Sequence, residues 1–183
     1  MSLFRTSVLA LSLITAAGCS QVDNSGGEPP PGDALQFAVT GEASAFCSGD
    51  DAARFIDTQE DIDAWIDDCL AENEETRDQL EEALANLADD ESLVIVSAQL
   101  GGCIGEYRVS GAFLEDETLH MWMLKEDYSY GRVDAACTDD IGEGPALVVV
   151  EGAEEALNVD LTVGRYNPDL PGSPGPIMYD DAE

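Results

Sequence analysis

Leu93-Val94-Ile95-Val96 is the stretch that most limits what this chain can fold into. A solid, largely β-branched run without a polar residue describes a strand buried on both faces. Two helical patterns precede it. Ile62, Trp65, Ile66, Cys69 and Leu70 recur at i, i+3, i+4, i+7 and i+8, and Thr58 with Asp61 three residues on gives a capping-box pattern at their start. After a polar interruption, Leu80, Ala83, Leu84, Leu87 and Ala88 repeat the spacing, with Thr76 and Gln79 as the candidate cap. Residues 35–39 and 53–56 predict short strands. Tyr107, Val109 and Phe113 alternate on another, and Leu119, Met121 and Met123 on its hairpin partner across a loop at 115–117. Residues 147–150 and 157–163 predict a final hairpin, with Asn158, Asp160 and Thr162 on a wet face. Helices followed by mainly antiparallel strands predict an α+β fold: one sheet of five to six strands with one or two helices on one face.

Hydrophobic residues make up 44% of the chain, enough for a real core. Its charge is nevertheless extreme. Against 39 acidic residues stand seven basic ones, and without Arg5 the remaining six leave a charge of −33. Such a molecule repels nucleic acid and anionic membrane surfaces, which excludes a nucleic-acid-binding role. Lys125 is the sole lysine, while Ala, Gly and Asp abound, a balance that reads as adaptation to seawater or brine. Acidic pairs such as Asp50-Asp51, Asp67-Asp68, Asp89-Asp90 and Asp139-Asp140 read as solvated faces, and no Asp-x-Asp-x-Asp-Gly loop marks a calcium site.

The N-terminal segment carries one basic residue, Arg5, before an apolar run from Val8 to Ala17 that is too short to span a bilayer comfortably. It ends in Ala16-Ala17-Gly18-Cys19-Ser20, which resembles the lipobox of bacterial lipoproteins, with Ala16 where that family usually has Leu. The resemblance implies cleavage before Cys19, acylation of its thiol and new amine, and, through Ser20, export to the outer membrane. Ordinary cleavage after Gly18, giving a soluble secreted domain, is the alternative. The chain has five cysteines, so a lipidated Cys19 leaves an even set of four. Cys47, Cys69, Cys103 and Cys137 predict two disulfides from three possible pairings, and chain proximity favours Cys47 with Cys69 and Cys103 with Cys137. The expected organisation is a signal peptide over 1–18, lipid attachment and a flexible tether of about 20 Å reach over 19–33, a single domain over 34–165, and a proline-rich tail over 166–183.

Between residues 93 and 109, Leu100-Gly101 and Gly105-Glu106-Tyr107 after the valine-rich strand resemble the C-terminal domain of PrcB-type lipoproteins. These are accessory subunits of a surface subtilisin-like protease complex. Residues 56–70 resemble that family's preceding helix, Glu106 replaces a family glycine, and the similarity extends over about 54–163. It implies an α+β domain and a binding role.

Catalytic inventory points the same way. His120 is the only histidine, on the strand face opposite Leu119 and Met121, and reads as a packed or exposed strand residue. Gly101-Gly102 lacks the Lys-Ser/Thr of a phosphate loop. No cofactor or metal site is expected. The sequence therefore predicts a non-enzymatic, outer-membrane-anchored protein that binds another envelope or secreted protein. Its candidate partner surface is Tyr107 and Arg108 beside the glycine turn, with Tyr128 and Tyr130 on the following loop. A carboxylate-dependent hydrolase acting on envelope glycans is the alternative, and it needs two acids facing each other in a cleft.

Self-repulsion is the main liability of so acidic a chain. The screening length falls from about 10 Å at 0.1 M salt to about 3 Å at 1 M. The melting temperature should therefore climb as NaCl rises to molar concentration with calcium excluded. A rise produced by micromolar calcium alone would instead reveal an ion site.

Overall fold

The computed structural model describes residues 23–42, 51–69, 74–97, 103–132 and 145–174. In chain order these form β1 (Asp33–Ala34), β2 (Phe37–Glu42), β3 (Ala52–Phe55), α1 (Gln59–Asp68), α2 (Glu74–Ala85), β4 (Glu91–Ser97), β5 (Ile104–Glu115), β6 (Thr118–Asp127), β7 (Ala146–Glu151) and β8 (Asn158–Tyr166). The fold is α+β. The strands make two four-stranded sheets rather than the single sheet expected: β1-β5-β6-β8 and β2-β7-β4-β3.

The reason lies in β4. Leu93, Val94, Ile95 and Val96 are all at most 1% exposed. Leu93 and Ile95, with Leu147 of β7, pack against Ile62, Trp65, Ile66, Cys69 and Leu80 of the helical region. Val94 and Val96, with Val148 and Val150, point the other way and meet Val109, Ala112, Leu119, Met121 and Met123 of the second sheet. Three layers follow from one strand pair: helices, the β2-β7-β4-β3 sheet, and the β1-β5-β6-β8 sheet.

Local chemistry sets the element ends. Thr58 and Asp61 form a complete capping box at α1. The second helix starts earlier than its Thr76–Gln79 pattern indicates, so Thr76 lies inside the first turn, fully buried. Within the β5–β6 hairpin, the register shifts between Val109 and Gly111. This irregularity turns Ala112 into the core opposite Met121 and puts Phe113 opposite His120 on the outer face, not beside Tyr107 and Val109 as simple alternation predicts.

The expected β7–β8 hairpin does not form. The connection over 152–157 crosses between sheets, with Ala153 buried in the shared core, and β8 then runs parallel to β6. Six residues fit a hairpin loop or a crossover equally well. The choice depends on a partner strand distant in sequence.

The two sheets are also joined by charge. Lys125 is 1% exposed and projects from β6 toward Asp51, at the start of β3, with which it forms an ion pair. Both described cysteines, Cys69 and Cys103, are disulfide-bonded. Their expected partners, Cys47 and Cys137, lie outside the described residues. Asp51→Ala removes a counter-charge from a buried ammonium and is expected to cost up to about 3–5 kcal/mol. Adding Lys125→Met should return part of that loss. Urea unfolding of both variants checks this, and equal midpoints would show that the pair is not coupled.

Candidate functional site

The outer face of the β1-β5-β6-β8 sheet has no helix over it among the described residues. Instead the N-terminal segment crosses it. A Cβ on Gly164 would lie 1.8 Å from the Gly26 carbonyl oxygen, so glycine is required for the two backbones to meet. Asn24, 4% exposed, fixes the crossing. Its side-chain oxygen accepts from the Asn167 N–H at 2.7 Å, and its amide donates to the carbonyls of Asn167 and Leu170 at 2.9 and 3.2 Å. Asn167 in turn donates to the carbonyls of Tyr128 and Tyr130, and the Ser173 hydroxyl bonds the Asn167 and Leu170 carbonyls.

Within the expected tether over 19–33, Asn24, Gly26 and Pro30 are buried, and within the expected tail from 166 the end of β8 leads into a turn assembly reaching residue 174. Composition predicts extension there. It does not register that one buried asparagine joins the segment at 24 to the turn at 167–173.

The predicted surface residues separate. Tyr107 is 8% exposed and belongs to the core between the sheets, so it offers no accessible surface. Arg108 lies on the outer face with its guanidinium 5.4 Å from the Tyr166 ring centre. Tyr128 is 39% exposed and donates to Glu126 at 3.3 Å. The Tyr130 hydroxyl donates to the Asp23 carbonyl at 3.2 Å. Arg108, Tyr128 and Tyr130 thus gather at one end of this face, joined by Tyr166. Burial first, then its hydrogen bond to Glu126, pushes the Tyr166 hydroxyl up to about 12, so this end stays neutral in its tyrosines. Burial, then the Glu126 charge, raises Tyr128 as well. Trp122 stacks obliquely on Phe113 at 6.5 Å and borders a hollow of about 330 Å³ with Tyr130 and Gly26.

A second, larger hollow opens on the opposite side of the molecule. Between β2 and α2 lies a cleft of about 550 Å³, floored by Ala38, Ala83, Leu147 and Val149. Glu42, Glu82 and Glu91 line it, with no Lys or Arg among its lining residues. Gln79 Oε1 is buried there without a hydrogen-bond partner among the described residues. The Thr40 hydroxyl spends its proton on the Leu147 carbonyl at 3.4 Å, leaving oxygen lone pairs toward the cleft. These carboxylate, amide and hydroxyl oxygens accept, and the complementary group is a donor carrying positive charge. Sequence reasoning missed this cleft. The apolar stripe of α2 reads as packed, yet Ala83, Leu84 and Leu87 are only partly covered because the helix overhangs the small residues of β2.

His120 sits on the outer face with Nε2 4.0 Å from Glu115 Oε2. Among the carboxylates, Asp57 is pushed up by burial and then by the charge of Asp61, whose own pKa is lowered chiefly by the Thr58 hydroxyl. This split pair belongs to the helix cap, outside both hollows. Among the described residues no three His, Cys, Asp or Glu side chains gather as a metal site requires, and no helix is long and apolar enough to cross a membrane.

No family model, curated protein or solved structure matches the chain.

Asn24→Ala should leave the buried Asn167 N–H unpaired and cost about 1–3 kcal/mol. The readout is the urea midpoint at constant slope. An unchanged midpoint would mean the N-terminal segment contributes nothing to the fold.

Proposed function

We propose that this protein is a membrane-anchored, non-enzymatic envelope lipoprotein that binds another envelope or secreted protein through the α2–β2 cleft. The observation that carries the reading is that cleft: an apolar floor beneath a rim of carboxylates, open on the side away from the N-terminal segment. Its chemistry suits a basic side chain with an apolar stem, presented by an extended or helical segment of the partner. The edge strand β2 adds backbone groups for such a segment to pair with. The lipobox-like Ala17-Gly18-Cys19-Ser20 supports lipid attachment at Cys19 and residence at the outer membrane. The resemblance to accessory lipoproteins supports a binding role.

Two measurements test this. A benzophenone amino acid at Asn86, on the cleft rim, should crosslink in intact cells to one protein, and Glu82→Lys should abolish the adduct. Persistence of the adduct in the charge-reversed variant would place binding elsewhere. Cys19→Ala should move the protein from the detergent phase to water with its fold intact, because two or more acyl chains hold a protein firmly at about 0.8 kcal/mol per buried methylene. An unmodified protein that already stays in water is the soluble secreted domain.

A further inference from the structure

The anchor and the fold together constrain which way the domain faces. Resting on the lipid attachment proposed for Cys19, we propose that the outer face of the β1-β5-β6-β8 sheet is the membrane-facing side, with Trp122, Tyr128 and Tyr130 at the level of the phospholipid headgroups. Chain length carries the first step. Cys19 precedes Asp23 by four residues, which span at most about 14 Å when fully extended. Asp23 is followed at once by Asn24, buried and held by Asn167, so no further slack is available. An acyl chain in the bilayer therefore holds this end of the face beside the headgroups.

Residue chemistry carries the second step. Tyr and Trp favour the membrane interface, where an apolar ring and a polar tip are both satisfied. Tyr128 is exposed and Tyr130 partly so, and beside them Trp122 is partly exposed with its indole N–H buried, so the two tyrosines supply the polar tips on this side of the molecule. Cations near this end sit with anions: Arg132 with Asp169 at 3.3 Å and Arg165 with Asp127 at 3.5 Å. Glu106 and Glu126 add acid beside Tyr128, but the helical layer on the far side is more acidic. Helices α1 and α2 carry five acidic residues each and a single base, Arg77. Repulsion from anionic lipid is weakest when that layer points away from the bilayer.

The chain contains two tryptophans, and they lie on opposite sides. Trp65 is 3% exposed under α1, about 20 Å farther from the proposed membrane surface, given sheets about 10 Å apart and a helix layer of similar thickness. The test uses the full chain purified from its membrane fraction and reconstituted into phosphatidylcholine vesicles containing a headgroup-dansylated lipid. Energy transfer from tryptophan to dansyl should be strong, Trp122→Phe should remove most of it, and Trp65→Phe should retain it. A benzophenone amino acid at Tyr128 should form lipid adducts, and one at Glu82 should form none, a comparison that does not depend on the tryptophan variants folding. Transfer that survives Trp122→Phe, or lipid adducts at Glu82, overturns the orientation. Protein adducts at Tyr128 in place of lipid, to a partner or a second copy, overturn it too. Intact mass separates the two levels. Acylated Cys19 without transfer from Trp122 refutes the orientation alone, whereas unacylated Cys19 refutes the anchored reading and the orientation with it.

Discussion

Burial of β4 on both of its faces is the constraint on which the rest of the molecule depends. Alternate residues of this strand serve two cores, Leu93 and Ile95 toward the helices, Val94 and Val96 toward the second sheet. Each fully buried aliphatic side chain contributes about 1.5–3 kcal/mol relative to exposure. Neither cover is therefore dispensable. The helices alone leave the valine face wet, and the second sheet alone leaves the leucine–isoleucine face wet. The α2–β2 cleft lies where this covering is incomplete, with Ala83, Leu84 and Leu87 of the helical region over the small residues of β2.

Positive charge is scarce, and its placement is correspondingly selective. Arg54 pairs with Asp68 at 2.9 Å, Arg77 with Asp63, Arg132 with Asp169 and Arg165 with Asp127. Most of these pairs are exposed and each adds little stability. Lys125 with Asp51 differs, because the ammonium is shielded and joins the two sheets at their margin. A chain with so many acids uses its single lysine where solvent cannot screen it.

Local signals were legible where the physics is local. The capping box at Thr58, the α1 stripe, the central hairpin and the wet face of β8 all follow from period and capping chemistry. The run at 93–96 declared two buried faces, but the identity of the second cover did not follow from it. That cover depends on β8 lying parallel to β6 rather than antiparallel to β7, a choice made by contacts distant in sequence. The α2–β2 cleft was not legible, and of the expected partner surface only the shared placement of three residues was. Arg108, Tyr128 and Tyr130 share a surface. Tyr107 does not, because period two assigns it to the face of Val109, and the core side of that face appears only with the second sheet. Phe113 escaped through a one-residue register shift, and Asn24 through the assumption that glycine and proline imply slack.

The bond between Asn24 and Asn167 joins residues 143 positions apart. Contacts of such separation form late in folding, since the entropy of closing the intervening loop is lost before they reward it. The first described residues of the chain therefore wait for the last strand before they can settle. Until β8 is in place, Asn24 has no native partner for its buried side chain. The Asn24–Asn167 contact thus requires the last strand to be in place, so the segment around Asn24 can dock only on a face that β8 has completed.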